Sequence, residues 1–251
     1  MTDTGARFGI QTQKKSALVA QQIVNEIVAE QMTGGDRLPP EAEMCETYGV
    51  GRSTIREALR LLESQGVVKI KTGPGGGPIL SDFDGGFLAA NVALHLQLSG
   101  ATLRDVMNAR LVIEPAIAGA AAEHRDQATI DALRAVVDDS HKPDAERVIL
   151  VGGSADFHDI VAAGSGNPFF EYLMLALHRI TEPFPQRLPY EGERRARLVD
   201  DHQAIFAAIR DGDRDAAAQA MRVDILEFLD YAEQEVPQLL EEKIDWGRVN
   251  G

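Results

Sequence analysis

A single cysteine, Cys45, is all that 251 residues contain, so no internal disulfide can staple the chain and its stability has to come from packed cores. An N-terminal apolar run flanked by basic residues is missing, and no apolar stretch reaches the eighteen residues that a membrane-spanning helix needs. The expectation is a cytoplasmic protein with no membrane partner. No repeat of solenoid period is present. Strand signal is scarce as well, because past residue 86 the alternation that marks strands almost disappears. Positive charge is in deficit, 25 Lys and Arg against 39 Asp and Glu, a formal net of −14. Residues 1–80 hold nine of each sign and are neutral, which leaves the whole −14 to the remainder. At this length two domains are expected, each large enough for its own core.

What is present concentrates in residues 36–80, DRLPPEAEMCETYGVGRSTIREALRLLESQGVVKIKTGPGGGPIL. Pro39 and Pro40 suit a first helical turn, where a missing N–H costs nothing, so the spacing predicts a helix over residues 41–48. Gly49-Val50-Gly51 makes a turn. A second helix opens at Arg52, with Ile55, Ala58, Leu59 and Leu62 at helical spacing toward a core and Arg52, Ser53, Arg56 and Arg60 outward. Gly66 stops it; Val67, Val68 and Ile70 begin a strand, the run from Gly73 to Gly77 turns, and Ile79-Leu80 return as a second strand. Between Arg52 and Lys71 five basic residues (Arg52, Arg56, Arg60, Lys69, Lys71) stand against Glu57 and Glu63, a local net of +3. Guanidinium groups one turn apart beside hydroxyls are the donors that read guanine edges and grip phosphates in a major groove. A merely solvated helix face does not account for the order helix, turn, helix, wing. The acidic remainder would repel DNA unless it stood away from the phosphates, so the charge split argues for a locally basic reader joined to a distant acidic domain.

The stretch LPPEAEMCETYGVGRSTIREALRLLESQGVV resembles the winged helix-turn-helix of the GntR family of bacterial transcription regulators, and the chain beyond it resembles the FadR-like branch of that family. The resemblance implies operator contacts at Arg52, Ser53, Thr54 and Arg56, at the start of the recognition helix, and at Gly73 on the wing tip. Ala42 departs from it. The family usually carries an arginine there that reaches a base, so the operator is expected to differ from the commonest half-sites.

Residues 1–13 lack periodicity and read as a mobile tail. Residues 14–32 carry Leu18, Val19, Ile23, Val24, Ile27 and Val28 as one apolar stripe, a third helix for the reading unit, which spans residues 14–80. Residues 81–86, SDFDGG, form the joint. Seven Ala- and Leu-rich stretches come next, 87–98, 102–124, 129–140, 145–163, 168–180, 192–210 and 213–234, with Thr102 and Thr129 at N-cap positions. They predict an all-α antiparallel bundle over residues 87–234, and residues 235–251 read as a tail. The fold class is mainly α.

Polar residues on apolar helix faces are the functional candidates in a bundle. His158 lies among Phe157, Ile160 and Val161, His202 sits a turn before Ile205 and Phe206, and Asp224 is one turn from Phe228. Each alone suits a hydrogen-bonded core group. Together they bring two imidazoles and a carboxylate from three helices, enough for a metal with open positions. Arg110 also points inward, either as a clamp for a carboxylate ligand or as the partner of Glu114 at i+4. Asn167 is a second candidate donor or a turn residue.

Arg110 and Glu114, then Phe157-His158, Gly166-Asn167 and DHQAIFAAIRDGD, resemble the helical ligand-sensing domain of the FadR-like branch, the FCD domain, over most of residues 87–232. In many such domains an Asp four residues before the first His, that His and two more bind a divalent metal that helps hold an organic acid. Here Ser154 stands at the Asp position and Asp224 at that of the third His. Asp156 is two residues from His158 and faces away. Two readings stay open. Zinc, nickel or manganese is held by His158, His202 and Asp224, with effector or water beside Ser154; or the histidines bond the ligand without metal.

The expected function is a sequence-specific regulator, a homodimer on palindromic operator DNA, whose bundle binds a small carboxylic acid. Its alternative is a metal-dependent hydrolase or lyase built on His158, His202 and Asp224. That alternative lacks a nameable general base, and GPGGG lies between strands and opens no helix. A constitutive architectural DNA binder, with the bundle serving only dimerisation, is the third reading.

Overall fold

The computed structural model describes residues 4–73, 76–82, 84–140, 154–184, 187–188 and 192–249. The chain divides into two compact units, Met1–Phe83 and Asp84–Gly251.

In the first unit α1 (Thr4–Ala29), α2 (Glu41–Tyr48) and α3 (Arg52–Ser64) precede the antiparallel hairpin β1 (Val68–Lys71) and β2 (Gly77–Leu80). Val68 pairs with Leu80 and Lys71 with Gly77. Residues 35–38 run along the other edge of β2, Leu38 N–H donating to Pro78 O at 3.0 Å and Leu80 N–H to Asp36 O at 2.8 Å. The core joins Val19, Ala20, Ile23 and Ile27 of α1 to Ile55, Ala58, Leu59 and Leu62 of α3, with Leu38, Met44, Val68 and Leu80 closing it. Two expectations change. Helix α1 begins at Thr4, inside the stretch expected to be a tail, and its buried stripe is narrower than the sequence suggests. Leu18 is 60% and Val28 71% exposed, because Val19, Ile23 and Ile27 already fill the face turned to α3.

The second unit holds α4 (Gly86–Ser99), α5 (Leu103–His124), α6 (Gln127–Ser140), α7 (Ser154–Gly164), α8 (Pro168–Thr181), α9 (Gly192–Asp211), α10 (Arg214–Glu235), α11 (Pro237–Leu240) and α12 (Trp246–Val249). One continuous apolar core runs through it, from Ala89 and Ala93 of α4 to Ile244. Thr102 caps α5 in a capping box with Asp105. At α6 the cap is Asp126 rather than Thr129: its carboxylate accepts from Ala128 N–H at 2.9 Å and Thr129 N–H at 3.1 Å, so the helix starts at Gln127. Gly85, at φ +74, brings the entry of α4 onto α8, where a Cβ would lie 2.5 Å from that of Leu175. Of the stretch expected to be helical over 145–163, the part before Ser154 lies outside the described residues.

Residues 235–249 are not a loose tail. Leu239, Leu240 and Ile244 are buried in the bundle core, Lys243 bridges to Thr102, and Glu242 pairs with Arg187. Three apolar side chains in an eight-residue acidic stretch gave too little periodicity to place, yet they suffice to dock it.

Candidate functional site

Two sites take shape, one in each unit. The first is the exposed face of α3. The burial of Ile55, Ala58, Leu59 and Leu62 turns Arg52, Ser53, Arg56 and Arg60 to solvent, and Gly73 is exposed at the wing tip with φ +98. Arg56 Nε donates to Glu41 Oε2 at 2.9 Å, which ties the middle of this face to the start of α2. Ala42 is exposed beside it. Thr54 is not in the outward set. It is 8% exposed, because it lies four residues before the buried Ala58 and so on the same helix face.

The second site is buried in the bundle. Arg110 and Glu114, one turn apart on α5, form an ion pair through Nε and Oε1. Glu114 Oε2 accepts from Nδ1 of His158 on α7 at 2.7 Å. The other edge of that imidazole, Nε2, stands 3.4 Å from Oδ2 of Asp224 on α10. Nε2 of His202 on α9 stands 3.8 Å from Asp224 Oδ1. The sequence-predicted triad is thus brought together, its candidate ligand atoms all within 4.8 Å of one another. Phe157 stacks on the His202 ring with centroids 4.1 Å apart and planes 7° from parallel, which fixes the imidazole's orientation.

His178, on α8, belongs to the same cluster and no sequence motif marked it. Its Nδ1–H donates to Asp159 Oδ1 at 2.5 Å, so in the neutral ring Nε2 accepts from Arg110 Nη2 at 3.4 Å. Nη1 of Arg110 faces the Met107 sulfur at 3.7 Å. The ion pair between Arg110 and Glu114 is present. Asn167 is not in the cluster: it caps α8 at the surface, its Oδ1 accepting from Phe169 N–H at 3.0 Å. Ser154 opens α7, but its side chain lies outside the described residues, as does that of Asp156.

Electrostatics follow from burial and pairing. Burial alone would neutralise Glu114, but Arg110 and His158 hold its carboxyl well below the usual range. Burial opposes the His158 imidazolium, yet Glu114 and Asp224 outweigh it and raise the affinity for the second proton. His202 is driven the other way by burial and by the charge of His158, so its ring is neutral with a lone pair available. Burial raises Asp224, and it pushes the neighbouring Asp201 up to about 6 with help from the Asp224 and Glu227 charges. Around Asp224 the His158, Arg110 and Arg194 charges act against burial and the Glu114 carboxylate.

The donors suit a divalent cation. His202 Nε2 and Asp224 Oδ1 are buried without a hydrogen-bond partner among the described residues, and they face each other. A carboxylate on His158 Nδ1–H is the outer contact that directs Nε2 toward a metal. A second trio, Glu114, His158 and His178, is also close enough to ligate, but there the Arg110 guanidinium occupies the approach.

Residues 15–76 match the family described as bacterial regulatory proteins, gntR family, and residues 105–226 match the FCD domain. The chain is 27% identical over 223 residues to the HTH-type transcriptional repressor NanR of Citrobacter rodentium, covering 84% of this chain and 83% of that protein. It is 26% identical over 192 residues to the HTH-type transcriptional regulator LutR of Bacillus subtilis, covering 74% and 87%. The solved structure of a Streptococcus agalactiae GntR protein superposes with a TM-score of 0.68 at 25% identity, over 85% of this chain and 98% of that one. These relatives regulate transcription, and nothing in them supports a hydrolase or lyase. No helix among the described residues is long and apolar enough to cross a membrane. The chain belongs to the GntR family, in its FadR-like branch, as a DNA-binding transcription regulator with a C-terminal FCD domain, and it is not an enzyme.

Proposed function

We propose that the chain acts in the cytoplasm as a homodimeric repressor, that it reads a palindromic operator through Arg52, Ser53, Arg56 and the wing tip at Gly73, and that a small carboxylic acid in the FCD domain releases it. The observation that carries the sensor half is the pair of unpartnered buried atoms, His202 Nε2 and Asp224 Oδ1, beside His158 Nε2. His158, His202 and Asp224 would hold zinc, nickel or manganese, and the ion would supply a Lewis-acidic anchor for the effector carboxylate. Glu114 orients His158, and Phe157 orients His202. Repression as the sign of control is supported by the name that NanR carries.

Dimerisation is supported by α4. Its apolar residues lie all round the helix, yet only Ala89 and Ala93 are buried, while Phe87, Leu88, Leu94 and Leu98 are exposed. Such a helix seeks a second covering surface. The test is operator binding by fluorescence anisotropy against a panel of carboxylic acids, with and without divalent metals, next to elemental analysis of protein purified without a histidine tag. Release by an acid that needs stoichiometric metal supports the reading. Operator binding indifferent to every acid, with or without metal, refutes the sensor.

A further inference from the structure

Arg194 lies in the first turn of α9, eight residues before His202 and so about 12 Å from it along the axis. Its side chain is only 8% exposed. Nη1 donates to Glu227 Oε2 at 3.3 Å, long beside the roughly 2.7–2.9 Å of a well-made charge-assisted bond. Nε is buried with no partner among the described residues. The guanidinium carbon rests 4.8 Å from the Tyr231 ring centroid, which holds the plane of the group in place. Besides Glu227, the Asp201 and Asp224 carboxylates balance its charge, but no hydrogen bond among the described residues reaches Nε, a cost that a better-made set of contacts would relieve. A guanidinium donates two parallel N–H bonds to a carboxylate, which is the planar fork that a ligand carboxylate fits.

That residue lines a cleft of about 300 Å³ between α9 and α10. The cleft's charged lining is Arg194 and Arg197 against Glu193, Glu227 and Asp230. The sign of this balance decides the ligand class. A plain carboxylate would satisfy Arg194 but meet three carboxylates; a plain amine would leave the buried guanidinium without its partner. A molecule that carries both groups satisfies both halves. We propose that this cleft is a second ligand site for a small zwitterion of the α-amino acid type, its carboxylate on the Arg194 guanidinium and its ammonium among Glu227 and Asp230. The lining of the cleft includes none of His158, His202 and Asp224, although the Arg194 charge acts on Asp224 from a distance.

Isothermal titration calorimetry of the full chain with the standard amino acids, one at a time, tests it. At least one should bind at one per chain, and its analogues lacking the amine or the carboxylate should bind about tenfold or more weakly, a difference of roughly 1.4 kcal/mol. Arg194→Lys keeps the charge but loses the planar fork and should weaken binding to a similar extent; Glu227→Gln, at a half-exposed position, should weaken it too. Chelation of divalent metal should leave the affinity unchanged, which separates this site from the buried cluster. The proposal fails if no amino acid binds, if the analogue without an amine binds as well as its parent, or if binding is indifferent to both variants.

Discussion

The Nε2 of His158 lies 3.4 Å from Oδ2 of Asp224, so the imidazole is strung between two buried carboxylates, with Glu114 on its other edge at 2.7 Å. The Asp224 carboxylate gives the cluster an anionic donor that a neutral imidazole would not. Bound divalent cation would be the natural complement to that charge. Titration with a chromogenic chelator is expected to show stoichiometric binding that a His158→Ala, His202→Ala double variant abolishes. Glu114→Gln removes only the contact that aims His158 and is expected to weaken affinity by about 10–100-fold. Metal content untouched by the double variant would place the ion elsewhere.

Arg56 shares its guanidinium with Glu41 at 2.9 Å, whereas Arg52, four residues earlier on the same face, has no such anchor among the described residues. Both are expected to touch operator. Arg52→Ala or Arg56→Ala should cost about 1–3 kcal/mol if the contact is to a base edge, or lower the salt slope by about one if it is to phosphate. The ion pair is exposed on both sides, so Glu41→Gln should change stability by less than about 1 kcal/mol. Anisotropy titrations at several salt concentrations on a selected operator separate these outcomes. Binding unchanged in both arginine variants would remove α3 from the groove.

The reading unit was legible because its information is local. Two prolines, a glycine turn and an apolar spacing of three and four residues each act within one element, and the buried set Ile55, Ala58, Leu59 and Leu62 follows from them. His158, His202 and Asp224 were legible as inward residues on three helices, and the packing does converge them. His178 was not. In LMLALHRIT it is one polar residue on an apolar helix, and what defines it, Asp159 nineteen positions earlier and Arg110 on another helix, is tertiary. Arg194 escaped for the same reason, since only burial distinguishes it from the neighbouring Arg195 and Arg197.

Leu240 is fully buried and Leu239 and Ile244 nearly so, which makes the C-terminal stretch part of the bundle's core. Leu240→Ala is expected to destabilise the chain by about 2–5 kcal/mol, as for other large-to-small core changes. Deletion of residues 237–251 should cost more, because it also uncovers the start of α5 where Leu103 N–H donates to Glu242 O at 2.9 Å. Thermal unfolding followed by circular dichroism reads both. A melting temperature unchanged by the deletion would show that the segment only rests on the surface.

Leu98 is 76% exposed near the end of α4, and Val112 on α5 is 70% exposed. Neither can contribute to the core of its own chain, so a polar substitution at either should leave the fold intact. If α4 is covered by a second copy, Leu98→Asp places a carboxylate in an apolar interface and must either bury it without a partner or break the dimer; breaking the dimer is the cheaper outcome. Sedimentation equilibrium is expected to show a dimer for the natural chain and a monomer at the same concentration for Leu98→Asp, with identical helical content by circular dichroism. Operator binding should fall in parallel, because two reading units joined in one dimer engage two half-sites at a high effective concentration and single units do not. A natural chain that sediments as a monomer, or a Leu98→Asp variant that keeps both the dimer and its operator affinity, would move the interface away from α4.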